Sequence, residues 1–234
     1  MIKNFIKNYL KEKRFPHRFK GRYGKSSLGC EFNNTMDFVE QILKYEENIE
    51  DQIIIMDYIL NIVREDLKTD LLTTIIYSDE YFKREIDYPF PHEYYDGLGN
   101  RFPTWCKDKI ERNVDLSKDC VLVLSWNRER LRNSIKNIYK NEFEYHDSNH
   151  LAYYFTHIDV CYAYNGTHSI SSGIGHKKGF IKAKECDISK LFDHLYTDGV
   201  SWYSVHDNIK LGDIFDFRIA ILYELAKIKY NLQK

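Results

Sequence analysis

The sequence predicts an α+β chain, with an N-terminal helical region over residues 1–112 followed by an α/β domain over 113–234. Three observations carry this. Apolar residues recur at helical spacing through the first half, with Met36, Val39 and Leu43 in one run and Ile53, Met56, Leu60, Val63 and Leu67 in another. Residues 86–104, IDYPFPHEYYDGLGNRFPT, hold three of the four prolines and two glycines and read as a long aromatic boundary loop. From about residue 118, short apolar runs alternate with helical segments, the pattern of a sheet covered by helices.

Taken in order, the first helix has Asn34 as a candidate cap, and the second run follows it directly. Cys120–Leu124 reads as a strand buried on both faces. Ser125-Trp-Asn-Arg-Glu-Arg130 forms a polar turn, after which Leu131, Ile135 and Ile138 mark an amphipathic helix. A turn at Asp147-Ser148-Asn149 leads to strand character over 151–164. There Ile158, Val160, Tyr162 and Tyr164 take one face, and Asp159, Cys161 and Ala163 the other. A helix is expected from about 167 and a strand over 179–184. Asp198-Gly199 reads as a tight turn before the aromatic strand around Trp202 and Tyr203. The final helix, 212–231, is expected to be capped by Asp213 and to bury a stripe of Ile214, Phe217, Ile221, Leu225 and Ile228.

Composition narrows the function classes. The chain has 234 residues, 43% apolar and 29% charged, with a formal net charge of −1. This balance excludes global disorder and a uniformly basic nucleic-acid binder. The charge is uneven, since residues 1–25 carry nine Lys or Arg against one Glu. Five scattered cysteines with no CxxC pair argue against a disulfide framework or structural zinc and point to a reducing, cytoplasmic setting. No apolar run is long enough to cross a bilayer, so no membrane partner is expected.

The stretch with most chemical content is YAYNGTHSISSG, residues 162–173. A strand that ends in Gly and enters a helix presents unpaired amides and a positive dipole end, which together favour an anion such as a phosphate. Gly166 allows close approach, Thr167, Ser169 and Ser171 offer hydroxyls, and His168 offers a charge-assisted hydrogen bond or acid–base chemistry. Simple helix capping by the Ser and Thr side chains explains the same residues.

The order of strand, NGTHSISSG and helix resembles the ParB/sulfiredoxin-like fold, whose signature GxxRxxA often appears as GxHRxxA. Gly166 stands at the glycine, His168 at the frequent histidine, Ser169 at the arginine and Ser172 at the small final residue. Upstream, Val121–Leu124, SWNRER and LRNSIKNIY match the strand, turn and helix that precede the motif, and the resemblance covers about residues 118–185. It implies a pocket for a nucleotide, with or without Mg²⁺, or another phosphorylated ligand at Gly166–Ser172. Asn127 and Arg130 would form the opposite wall. In some relatives the pocket serves ATP- or CTP-dependent chemistry, in others nuclease activity. Sulfiredoxins place their catalytic cysteine just after the motif glycine, and ParB-type CTPases often a glutamate; Thr167 replaces both. Ser169 in place of the arginine removes a charged fork, leaving Arg128, Arg130, Lys177 and Lys178 as nearby cations.

Two other readings stay open. A metal-assisted nuclease or nucleotide hydrolase would use His168 with a carboxylate such as Asp159, and His146, His150 and His157 offer further ligand types. A DNA- or protein-binding module would act through the arm RFPHRFKGRYGKSS, in which Arg14, Arg18, Lys20, Arg22 and Lys25 interleave with Phe15, Phe19 and Tyr23. The same arm could instead pack on the acidic helices of 31–66. Its GKSS is no P-loop, because Phe19 stands where the first glycine is required. No Ser lies in GxSxG.

Overall fold

The computed structural model describes residues 28–78, 86–104 and 110–234. The chain is mixed α and β, and divides into two compact units that interleave in sequence. One comprises 1–63, 89–104 and 189–234, the other 64–88 and 105–188. Residues 1–112 and 113–234 would instead be consecutive.

In the first unit, helix α1 (Leu28–Leu43) buries Phe32, Met36, Val39 and Leu43, a 4-3-4 spacing that lines one side. Asn34 is exposed inside this helix and does not cap it, because the helix already starts at Leu28. Helix α2 (Ile49–Tyr77) begins in this unit and buries Met56 and Leu60 there; Asn48 Oδ1 accepts the Glu50 N–H at 2.9 Å.

The expected loop at 86–104 contains a hairpin. Strand β1 (Glu93–Tyr95) pairs antiparallel with β2 (Arg101–Pro103), and the Asp96 carboxylate closes the turn by accepting the Leu98 and Asn100 amides. Strands β8 (Leu195–Thr197), β9 (Ser201–Ser204) and β10 (Lys210–Asp213) form an antiparallel meander, with Asp198-Gly199 in the β8–β9 turn.

Helix α5 (Phe217–Gln233) starts later than the sequence implied. Asp213 ends β10, and Asp216 is the cap, its Oδ1 accepting the Arg218 N–H at 3.0 Å. Every residue from Arg218 to Ile228 is buried, so the helix is a core element and not an amphipathic one with a single stripe. Its buried charges are held by polar partners: Arg218 forks onto Asp216 at 2.8 and 2.7 Å, Glu224 accepts the Thr197 amide, and Lys227 donates to the Leu195 carbonyl at 2.9 Å. Phe90, Phe192 and Trp202 each meet the Tyr223 ring edge to face in the surrounding core, and the Trp202 indole donates to the Pro89 carbonyl.

The second unit is a five-stranded mixed sheet with order β3-β7-β5-β6-β4. Its strands are β3 (Glu111–Asp115), β4 (Cys120–Leu122), β5 (Ala152–Phe155), β6 (Val160–Ala163) and β7 (Phe180–Cys186). The stretch expected as one strand over 151–164 is two, because His157 and Asp159 adopt positive φ (66° and 50°) and fold it into a hairpin. Helix α3 (Arg128–Lys140) follows β4, and α4 (Thr167–His176) follows β6. Val121, Cys161, Ala163 and Ala183 point to the face that Ile170 and Ile174 of α4 cover. On the other face Tyr88 meets Tyr153, Phe155 and Tyr162 edge-on, with centroids 5.6–6.1 Å apart. Cys120, Cys161 and Cys186 are buried thiols, and burial pushes Cys120 up to about 12, far from a reactive thiolate. No described helix is long and apolar enough to cross a membrane.

Candidate functional site

The site forms at the carboxyl ends of β4 and β6, which are parallel neighbours with Cys120–Leu122 in register with Val160–Tyr162. Each strand passes through a short loop into a helix, so α3 and α4 both begin at this end of the sheet, and they pack against each other. Two helix N-termini bring amide donors and positive dipole ends to one place, the usual reason that carboxyl strand ends hold ligands.

A cavity of about 350 Å³ opens here. Leu124 and Trp126 wall it after β4, Tyr162 and Ala163 at the end of β6, Tyr164 and Thr167 after it, and Ile86 closes it. Trp126 is 57% and Tyr164 41% exposed, so both rings keep open surface. Tyr164 is held by stacking on Tyr153 at 5.3 Å, and the Tyr162 hydroxyl donates to the Ile86 carbonyl at 3.0 Å.

Helix α4 has no side-chain cap. Gly166 is its N-cap residue, at φ 72° and ψ 21°, so the capping explanation of the Ser and Thr cluster does not hold. Gly166 is required for a reason other than ligand approach. A Cβ at this position would lie 2.5 Å from His150 Cδ2 and 2.9 Å from the Asn149 carbonyl oxygen, so the glycine admits the neighbouring loop.

The expected hydroxyls separate into one that faces the cavity and three that serve the fold. Thr167 lines the cavity. Ser169 belongs to a relay: the His146 amide donates to His150 Nδ1 at 3.0 Å, which leaves the proton on Nε2. That proton meets Ser169 Oγ at 2.8 Å, and Ser169 donates onward to the Gly166 carbonyl. His150 is buried, and desolvation holds it below the ordinary histidine range, in keeping with a neutral ring. Ser171 accepts from Ser125 Oγ at 2.9 Å, and Ser172 donates to the His168 carbonyl at 2.8 Å. Ser169 and Ser172 thus commit their protons to backbone carbonyls, whereas Ser171, as the acceptor, keeps its own.

His168 and Asn127 do meet. The Asn127 amide donates to His168 Nε2 at 3.1 Å, while Asn127 Oδ1 caps α3 by accepting the Arg130 N–H at 2.9 Å. Burial, then the Arg130 charge, lower the His168 pKa, which favours the neutral imidazole. It joins the β4–α3 loop to the first turn of α4. Its ring meets Trp126 edge-on at 5.2 Å, and the exposed Arg130 guanidinium lies 5.0 Å from the Trp126 ring centre. Arg130, Asn127 and His168 thus stand beside Trp126 and do not themselves line the cavity. Arg128 donates to the Ser78 carbonyl, and Lys177 and Lys178 lie at the far end of α4.

Asp159 is not brought to His168. It precedes β6 while His168 follows it, and a four-residue strand about 13 Å long at 3.3 Å per residue lies between them. Asp159 accepts from the Tyr154 hydroxyl at 2.8 Å and pairs with Arg64 at 3.3 Å. His146 and His150 lie in a turn, and His157 pairs with Asp187 at 3.3 Å. Among the described residues no group of three or more His, Cys, Asp and Glu is placed to hold a metal. The basic arm and its GKSS lie outside the described residues.

Sequence reasoning missed Trp126, Tyr164, Leu124 and Ile86 as wall residues and His150 as the partner of Ser169. Trp126 carried a usable signal, as a large aromatic in a polar turn between strand and helix. His150 carried none, since its role depends on contacts 16 and 19 residues away.

No curated protein and no solved structure matches the chain. A family model described as DUF6710, a family of unknown function, matches residues 5–234, and the chain belongs to that family.

Proposed function

We propose that the chain binds a nucleotide or another phosphorylated ligand at the strand-to-helix turn Gly166–Ser172, through a ParB/sulfiredoxin-like α/β arrangement. The observation that carries this is the cavity at the carboxyl ends of β4 and β6, where an uncapped helix start adjoins open aromatic surface. Its 350 Å³ lies within the ~300–1,000 Å³ of small-molecule pockets. A base stacks on Trp126, and the phosphate meets the first amides of α4, the Thr167 hydroxyl and the Arg130 guanidinium. The walls are apolar or neutral, so selectivity rests on stacking and on the anion at the mouth.

Binding is favoured over hydrolysis. His168 already accepts a hydrogen bond at Nε2, and Asp159 lies at the other end of the strand, so neither is positioned as a general base for a water in the cavity.

A thermal-shift panel tests the reading, with nucleoside mono- and triphosphates and inorganic phosphate, each with and without Mg²⁺. At ligand near 100 Kd, stabilisation of about 2.7 kcal/mol is expected. The shift should disappear in Trp126→Ala and weaken in Thr167→Val and Arg130→Ala. A panel that leaves the midpoint unmoved, or a shift that Trp126→Ala retains, contradicts it.

A further inference from the structure

The first half of α2 carries an apolar stripe on its outer face. Ile54, Tyr58 and Ile62 are 59%, 69% and 52% exposed, and their spacing of four sets them on one side of the helix, away from buried Met56 and Leu60. A solvated helix face carries charges at such positions, whereas a contiguous run of large apolar side chains marks a docking surface. The start of the helix beside it is acidic, with Glu47, Glu50 and Asp51 all exposed.

The complementary pattern stands in the sequence of the N-terminal arm, which lies outside the described residues. Phe15, Phe19 and Tyr23 also recur every four residues, and Arg14, Arg18 and Arg22 each precede one of them. Three aromatics match three apolar side chains, and the arginines match the acidic end. Reach allows the contact: thirteen residues separate Phe15 from Leu28, about 43 Å of extended chain, while the 16-residue α1 is about 24 Å long and α2 begins just beyond it. The family match spans both arm and helix.

We propose that the chain's own arm, through Phe15, Phe19 and Tyr23, docks on the Ile54–Tyr58–Ile62 stripe, with Arg14, Arg18 and Arg22 facing Glu47, Glu50 and Asp51. Docking shields the arm's cations, so an anionic partner must displace it from α2 to engage them.

Limited trypsin digestion of the full chain, followed by mass spectrometry, tests this at the bonds after Arg14, Arg18 and Arg22. In the wild type these bonds should be cut at least tenfold more slowly than in a free peptide of residues 1–27. Tyr58→Glu and Ile62→Ser should bring the rate to that of the peptide while cleavage elsewhere is unchanged, and 1 M salt should speed it in the wild type. Cleavage of the wild-type arm at the peptide's rate would overturn the proposal, with no variant needed. So would protection that Tyr58→Glu and Ile62→Ser both retain, or protection that grows with protein concentration, which would put a second copy's arm on the stripe.

Discussion

Gly166 and His150 show how one backbone requirement and one buried ring set the turn beneath the candidate site. Gly166 combines a positive φ with a close pass against His150, so Gly166→Ala should cost at least about 2 kcal/mol in urea unfolding, within the ~1–3 kcal/mol of left-handed strain plus the clash. His150 bears on pH dependence. Its pKa is lowered on folding, so the unfolded chain binds the proton more readily, and folding stability falls as pH drops from about 7 through the unfolded value near 6.5. The loss ends below the folded pKa. His168 and His194, also lowered, add to the same slope. Urea midpoints between pH 7.5 and 5 should therefore decline in the wild type and decline less in His150→Gln. An equal slope in both would remove His150 from this account.

At the scale of elements, the strands and helices around the turn were legible because their signals are local. Val121–Leu124 and the Leu131–Ile138 periodicity gave β4 and α3, and NGTHSISSG gave the junction into α4. The 156–159 turn was not legible: its positive-φ residues are His157 and Asp159, neither a glycine, in a stretch whose alternation suits one long strand. The start of α5 was missed because two aspartates compete for the cap, and pairing with β9 takes Asp213 into β10. Ser169 and Ser172 looked like ligand donors because sequence does not reveal which way a hydroxyl turns. The two caps now identified differ in burial and so in cost. Asn127→Ala should cost about 1 kcal/mol, the usual value for a cap. Asp216→Ala should cost about 3–5 kcal/mol, because it also strands the buried Arg218 guanidinium. Comparable losses from the two substitutions would show that the Asp216–Arg218 pair adds nothing beyond capping.

At the scale of the whole molecule, the mixture of helices and strands was readable from periodicity, but the grouping was not, since it rests on contacts between distant segments. The chain passes between its two units four times, and α1 finds its partner in α5, near the opposite end of the sequence. A chain ended after Ile188 should therefore lose hydrogen-exchange protection in α1, and retained protection there would contradict the interleaved grouping. Binding of a nucleotide against Trp126 at the carboxyl ends of β4 and β6 is read out by the indole N–H resonances. Trp126 stands half in solvent at the cavity, while Trp202 is 1% exposed in the other unit's core. Titration with nucleoside triphosphates should shift the Trp126 signal, assigned by its loss in Trp126→Phe, and leave Trp202 in place. A Trp126 resonance that stays fixed at millimolar nucleotide would contradict the account.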